Sequence, residues 1–183
     1  MNHATLAPSP WIVRWSHLPA CGAPVLDVAC GSGRHMRWFA GRGHPATGVD
    51  RSQEAVDAAA SWGQAVLADI ESGPWPFEGR QFGLVVVTNY LWRPRLPDIV
   101  QAVAPGGVLL YETFAAGNES VGKPSRPDFL LQPGELLAAC AGLRVVAYED
   151  GFLAEPERFV QRIAAVRPQD AAASPPRHPL QAP

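Results

Sequence analysis

The chain of 183 residues has 15 basic and 17 acidic residues, a formal net charge of −2 and 47% hydrophobic residues. This length suits a single domain, and the apolar fraction can build a sizeable core, which excludes a mostly disordered chain. The basic residues, 14 Arg and Lys123, are spread along the chain, so no nucleic-acid-binding patch is predicted, and no apolar run approaches the roughly 18 residues of a membrane span.

The ends of the chain differ in composition from its middle. Residues 1–9 and the Pro- and Ala-rich residues 168–183 show no periodicity, which predicts a flexible N-terminus and a disordered tail around one domain at 10–167. The N-terminus shows no secretory signal pattern. The three cysteines are widely spaced and form no metal or disulfide framework. We therefore expect a cytoplasmic protein without a membrane partner.

Short apolar runs alternate with amphipathic stretches along the middle of the chain. The predicted strands cover residues 25–29, 47–49, 65–68, 84–87, 108–113, 143–148 and 160–166. The predicted helices begin at Ser9-Pro10, Arg34, Ser52, before Leu96 and at Pro133, and the fourth of them carries Val103 and ends at Pro105-Gly106-Gly107.

Strands that alternate with helices in this way are typical of βαβ units. The pattern predicts an α/β, Rossmann-like, doubly wound fold, with a mostly parallel seven-stranded sheet and helices on both faces. No helix separates the last two strands, so we expect a C-terminal hairpin in which one strand is antiparallel. In such folds ligands bind beyond the carboxyl ends of the strands, where the strand order reverses.

The loop after the first strand distinguishes between two classes of cofactor. A dinucleotide site prefers three glycines in the pattern GxGxxG, but this chain has Gly31 and Gly33 followed by Met36 at the third position. An acidic residue, Asp27, lies inside the strand before the glycines. Both features disfavour a dinucleotide-dependent oxidoreductase.

This arrangement resembles the first motif of class I S-adenosylmethionine-dependent methyltransferases, and residues 25–52 are most similar to small bacterial enzymes of the tellurite-resistance type. The resemblance covers about residues 10–167 and implies S-adenosyl-L-methionine as cofactor and S-adenosyl-L-homocysteine as product. It implies that the glycine loop approaches the methionine part, that Asp50 accepts both ribose hydroxyls, and that Asp69 and the Ile70 backbone frame the adenine. Many family members have Gly where this chain has Ala29.

The full predicted cofactor-binding set is Arg14, Asp27, Ala29, Gly31, Gly33, Arg34, Asp50, Arg51, Asp69, Ile70 and Asn89. Three of these residues have an equally ordinary structural role. Asp27 is either a cofactor contact or an acceptor for backbone N–H groups. Arg34 opens a helix, where a cation is unfavourable, so it is either functional or solvated. Arg14 is either a partner of the cofactor's carboxylate or a solvated side chain.

The acceptor side of the site is less clearly marked. Asn89-Tyr90 follows the fourth strand at the position of the NPPY motif of related amino methyltransferases, but the proline pair is missing, so adenine or glutamine N-methylation is not supported. Tyr90 and Glu112 are the candidate catalytic residues. Glu112 ends the fifth strand and is a general base, a partner for a substrate cation, or a salt-bridge residue. No metal ligands are predicted.

Residues 115–132 form a long connection beyond the fifth strand. Connections of this length are typically lids, binding loops or disordered segments. Its position predicts a lid over the acceptor, with Lys123 and Arg126 available to an anionic substrate.

These features predict a methyltransferase that acts on a small molecule by direct displacement. The alternatives are a methyltransferase that acts on RNA or protein with a partner subunit, and a non-catalytic module that binds adenosylmethionine. The oligomeric state cannot be predicted from the sequence.

Overall fold

A computed structural model describes residues 7–169 and 176–182 of the chain. Its strands are β1 (Val25–Val28), β2 (Ala46–Asp50), β3 (Gln64–Leu67), β4 (Phe82–Thr88), β5 (Val103–Phe114), β6 (Arg144–Ala154) and β7 (Glu157–Val166). Its α-helices are α1 (Pro10–Trp15), α2 (Arg34–Ala40), α3 (Gln53–Ala59), α4 (Leu96–Gln101) and α5 (Glu135–Ala139).

The seven strands form one sheet in the order β3-β2-β1-β4-β5-β7-β6. Strands β1 to β5 pair in parallel, whereas β7 is antiparallel to both β5 and β6. The predicted doubly wound fold and its C-terminal hairpin are therefore confirmed. The strand order reverses between β1 and β4, so the carboxyl ends of these two strands mark the expected ligand position.

Two apolar clusters cover the two faces of the sheet. On one face Trp11, Trp15 and Phe39, from α1 and α2, pack against β1, β4, β5 and β7. On the other face Ile99 and Leu136, from α4 and α5, pack against the same sheet. Because both faces are buried, the central strands are almost continuously apolar, which is why they were predictable.

The fourth helix is shorter than predicted. It ends at Gln101, and Val103 begins β5 instead of belonging to the helix. Val103 is buried and pairs with Phe82 of β4. The predicted helix stop at 105–107 lies within β5, where the pairing with β4 shifts its register. Sheet pairing therefore outweighed the local helix-ending signal.

The C-terminal hairpin is longer than predicted. Strand β6 continues to Ala154 and β7 begins at Glu157, so the acidic stretch between the two predicted strands, residues 149–159, belongs largely to the sheet. Phe152 and Phe159 lie opposite each other with ring centroids 5.0 Å apart. Cross-strand aromatic pairs of this kind extend a hairpin beyond its buried part.

The predicted flexible termini lie partly outside the described residues, namely at 1–6, 170–175 and 183. Ser9, at the end of the predicted N-terminal segment, is buried because its hydroxyl caps α1. In the tail, the Pro179 carbonyl lies 3.0 Å from the His17 ring. None of the helices in the described ranges has the length and apolar character that crossing a membrane requires.

Candidate cofactor and acceptor site

A cleft with a volume of about 210 Å³ lies at the carboxyl ends of β1, β2 and β3. Five residues of the predicted cofactor-binding set line it, together with Tyr90, Val49, Ala68 and Glu71; the five are Ala29, Asp50, Arg51, Asp69 and Ile70. The topology thus brings together residues that are 40 positions apart in the chain. This is the location expected of a ligand in an open parallel sheet.

The loop between β1 and α2 has left-handed backbone at three positions. Gly31 and Gly33 have φ angles of +53° and +79°, and Ala29 has a φ of +54°. A Cβ on Gly33 would lie 3.1 Å from Ala59, whereas one on Gly31 would meet no atom within 4 Å. Glycine is therefore required at position 33 both by the left-handed backbone and by the lack of room for a Cβ atom. At position 31 only the left-handed backbone favours glycine. Alanine at position 29 holds the same backbone at the cost of local strain.

The third position of the dinucleotide pattern has a different packing solution here. Met36 is fully buried against β2, where a Cβ on Gly48 would collide with the Met36 sulfur and lie 2.7 Å from the Cys30 sulfur. The glycine that allows the helix to approach the sheet is thus on the strand instead of on the helix. This explains how the chain accommodates Met36.

Asp50 organises the cleft through both carboxylate oxygens. Its Oδ2 accepts the Gly31 N–H at 2.9 Å, and its Oδ1 accepts the Ser52 N–H at 2.9 Å. Each carboxylate oxygen has a second lone pair, so these bonds leave acceptor capacity for hydroxyl groups. Asp50 therefore joins the glycine loop to the start of α3 and still offers oxygens to the cleft.

Asp69 and Tyr90 form another part of the wall. The Asp69 carboxylate accepts the Ser72 hydroxyl at 2.6 Å and the Glu71 N–H at 3.0 Å, and the Ser72 bond lowers the pKa of Asp69. The Tyr90 hydroxyl is buried and has no hydrogen-bond partner within the described ranges. Burial raises the pKa of Tyr90, so this hydroxyl keeps its proton and can act as a donor. Tyr90 thus lies where the adenosine is expected, beside Asp69.

Asp27 and His35 form a buried pair behind the glycine loop, each 1% exposed. His35 Nδ1 lies 3.8 Å from Asp27 Oδ2, and His35 Nε2 accepts the Ser9 N–H at 3.1 Å, which places the ring proton on Nδ1. Burial raises the pKa of Asp27 to about 7, against the lowering effect of Arg34. Burial and Arg34 lower the pKa of His35 to about 3. His35 is therefore neutral, and Asp27 titrates near pH 7.

A row of polar side chains crosses the sheet on the face covered by α1. Thr88, Glu112, Arg162 and Glu149 are successive register partners on β4, β5, β7 and β6. Glu112 is 1% exposed; its Oε2 accepts a bond from Arg162 at 3.3 Å and its Oε1 accepts the Ser9 hydroxyl at 2.9 Å. Both oxygens are thus engaged, which favours the salt-bridge role of Glu112 over that of a general base.

The remaining members of the predicted set lie around the cleft or away from it. Arg14 pairs with Glu149 at 3.2 Å and stacks over Trp15, so the structure does not bring it to the cleft. Arg34 donates to the Thr88 hydroxyl at 3.2 Å. Asn89 has a φ of +54° at the end of β4, and its N–H donates to the Glu112 carbonyl at 2.9 Å.

The segment 115–132 has more internal order than its length suggested. Asn118 is buried and accepts the Phe159 N–H at 3.1 Å. Arg93, which the sequence analysis missed, donates to the Asp128 and Leu130 carbonyls at 2.8 and 2.9 Å. Arg126 pairs with Asp128 at 2.8 Å within the segment and does not extend toward Glu112. The role of the segment as a lid remains a prediction.

Ser9 connects α1 to the site by hydrogen bonds to Glu112 and His35, and its replacement tests this connection. The Ser9 hydroxyl caps the helix by accepting the Trp11 N–H at 3.1 Å and also donates to Glu112. We expect Ser9→Ala to lower the free energy of unfolding by about 1–2 kcal/mol in urea denaturation. Ser52→Ala, which removes an exposed cap of α3, is the control and should cost less, about 0.5–1 kcal/mol. Equal losses would show that the Glu112 bond contributes nothing.

Comparison with known proteins agrees with this geometry. A family model described as a methyltransferase domain matches residues 25–107, which contain β1 to β4 and the cleft. Malonyl-[acyl-carrier protein] O-methyltransferase from Serratia marcescens is 33% identical over 106 residues, which are 53% of this chain and 40% of that protein. The chain therefore spans less than half the length of this relative.

Solved structures extend the likeness beyond the matched region. TehB from Haemophilus influenzae has a TM-score of 0.64 at 20% identity, and the alignment covers 79% of this chain and 57% of the TehB chain. A SAM-dependent methyltransferase from Methanosarcina mazei has a TM-score of 0.67 at 15% identity, and the alignment covers 90% of this chain and 100% of the Methanosarcina chain. At these identities the likeness establishes the fold.

These findings confirm the resemblance predicted from the glycine loop. Residues 25–107 match a methyltransferase domain model, and the chain has the fold of the class I S-adenosylmethionine-dependent methyltransferases, similar to that of TehB.

Proposed function

We propose that the chain is an enzyme that binds S-adenosylmethionine in the cleft at the ends of β1 to β3 and transfers its methyl group to a small molecule. The observation that supports this most is the lining of the cleft, which contains Asp50 and Asp69 at the ends of adjacent strands with the glycine loop beside them. This arrangement offers acceptors for ribose hydroxyls and for an adenine amino group.

The residues present fit such a cofactor at two further points. The buried Tyr90 hydroxyl and Asp27 Oδ2 both have no hydrogen-bond partner in the described part of the chain. Orphaned buried polar atoms are costly and commonly mark positions that a ligand satisfies. Tyr90 offers a donor in the cleft, and Asp27 offers a negative charge behind the glycine loop. The ammonium of a methionine moiety is a suitable partner for such a charge.

When bound, the cofactor supplies an electrophilic methyl group on a sulfonium with a good leaving group. The protein's contribution is then mainly binding and orientation. Asp50 and Asp69 hold the nucleoside end, the backbone of Gly31 and Gly33 allows close approach, and the ends of β4 and β5 face the acceptor. Tyr90 lies on the cofactor side and Glu112 is paired with arginines, so neither is positioned as a free general base.

A small acceptor is supported by the architecture. The described residues form one sheet domain, and the segment 115–132 is short for gripping a polymer. The Serratia marcescens relative is named for an acceptor carried on acyl-carrier protein, which gives a carboxylic acid as one candidate class. We also propose a cytoplasmic location, consistent with three unpaired cysteines, Cys21, Cys30 and Cys140.

Calorimetric titration with S-adenosylmethionine, S-adenosylhomocysteine and NAD tests this proposal. We expect micromolar dissociation constants for the first two and no heat with NAD. Absence of binding by both sulfur compounds would refute the proposal. Binding without any methyl transfer to a small-molecule library would favour a non-catalytic module, and transfer only to RNA or protein would favour the macromolecular alternative.

A further inference from the structure

Arg158, at the start of β7, has a guanidinium group that the polar row leaves incompletely bonded. Its Nη2 lies 3.6 Å from Glu112 Oε1, while Glu112 already has closer bonds to Ser9 and Arg162. The Nε of Arg158 is buried and has no partner in the ranges that the structure describes. The side chain is 18% exposed, so it reaches the surface at one end. An arginine in this state has N–H groups available to an acceptor from outside.

The position of Arg158 places this group on the acceptor side of the sheet. Val160 pairs with Phe114, the last residue of β5, so Arg158 lies beyond the carboxyl end of that strand. The next residue, Phe159, binds the segment 115–132 through its N–H to Asn118 and its carbonyl to Ala115 at 3.0 Å. The Arg158 backbone is thus fixed where β5, β7 and this segment meet.

Positive charge exceeds negative charge in this region. Burial lowers the pKa of Arg34, and the positive charge of Arg158 lowers it further. The negative charges of Asp27 and Glu112 act in the opposite direction. Four guanidinium groups face three carboxyl groups in the row and its neighbours; they are Arg14, Arg34, Arg158 and Arg162 against Asp27, Glu112 and Glu149. Arg14 and Arg162 both contact Glu149, so Arg34 and Arg158 share what remains, Asp27 and part of Glu112.

We propose that Arg158, supported by Arg34, binds an anionic group on the methyl acceptor, and that this group is a carboxylate. Two guanidinium groups without a full complement of carboxylates form a favourable site for an anion. Glu112 lies 3.6 Å from Arg158, so the second negative charge of a phosphate would meet repulsion that a singly charged carboxylate largely avoids. This inference rests on the proposed function, because it assigns the acceptor class of the same site.

The test uses the full chain saturated with S-adenosylhomocysteine, titrated calorimetrically with malonamate (the monoamide of malonic acid, which carries one carboxylate), its neutral analogue malonamide and inorganic phosphate. We expect malonamate to bind at least tenfold more tightly than malonamide or phosphate. Arg158→Gln should weaken malonamate binding about tenfold to a hundredfold and leave the affinity for S-adenosylhomocysteine unchanged. Arg158→Lys should retain part of the malonamate affinity because it keeps the charge.

The control is Arg144→Gln, which removes the same charge from the opposite end of the hairpin, where Arg144 pairs with Val166. It should change neither affinity. Failure to bind S-adenosylhomocysteine would refute the proposed function itself. If that ligand binds, the acceptor inference is overturned by any of three results: no heat with malonamate, equal binding of malonamide or of phosphate, or unchanged malonamate affinity in Arg158→Gln.

Discussion

Replacement of Asp50 by alanine is expected to weaken the binding of S-adenosylhomocysteine by tenfold to a thousandfold. The change removes the acceptors for two ribose hydroxyls, and bonds to a charged acceptor together contribute about 1.5–4 kcal/mol. It also removes the acceptor of the Gly31 N–H, so the glycine loop loses a bond that holds its shape. Both effects act on the same ligand, and calorimetry measures their sum.

Two further variants separate these effects. Asp50→Asn keeps one oxygen, which can accept either the Gly31 or the Ser52 N–H, and should show an intermediate loss. Asp57→Ala removes an exposed acid of α3 that accepts a bond from Gln53 at 2.7 Å, outside the cleft, and should bind normally. An unchanged dissociation constant in Asp50→Ala would assign Asp50 to the loop and the start of α3 alone.

The cofactor half of the site could be predicted from the sequence because it depends on local patterns. Each residue follows an apolar strand directly, and parallel strands bring their carboxyl ends to one edge. Ala29, Asp50 and Asp69 therefore meet in one cleft, although nothing in the sequence states the distances. Tyr90 was assigned to the acceptor, and only the structure shows that it faces the same cleft.

The polar row could not be predicted because it depends on the register of the hairpin. Glu112 meets Arg162 across a pairing of strands 50 residues apart, and a shift by one residue would turn Arg162 to the other face. The acidic residues near position 150 were expected in the connection between the last two strands, but they belong to β6. The sequence left Arg14 as either a partner of the cofactor's carboxylate or a solvated side chain, whereas the structure pairs it with Glu149 of β6.

The ends of elements were misjudged where pairing outweighs local propensity. Val103 continues the apolar spacing of α4, but its pairing with Phe82 makes it the first residue of β5. The Pro-Gly-Gly sequence that follows is a strong stop signal, and the structure absorbs it as an irregularity in the strand. A single sequence does not show which distant strand will pair with a segment, so it cannot predict where pairing outweighs local propensity.

Asp27 and His35 should have opposite effects on stability as the pH changes. Asp27 has a pKa of 3.8 in the unfolded chain and about 7 in the folded protein, so its contribution to stability falls as the pH rises between these values. His35 has a pKa of 6.5 in the unfolded chain and about 3 in the folded protein, so its contribution rises with pH over that range. The two slopes overlap between about pH 4 and 6.5 and largely cancel.

Replacement of Asp27 by asparagine should remove the falling slope alone. Asparagine keeps an oxygen for the Met36 N–H but carries no charge, so the variant should match the wild type near pH 4 and exceed it by about 4 kcal/mol at pH 8. Urea unfolding at pH 4, 6 and 8 measures this difference, with Asp57→Asn as an exposed control that should show none. A difference independent of pH would show that Asp27 acts through its hydrogen bonds and not through its charge. If Asp27 also compensates the cofactor's ammonium, the same variant should bind S-adenosylhomocysteine more weakly at pH 8, although it is more stable. The buried charge of Asp27 would then favour ligand binding while it lowers the stability of the fold.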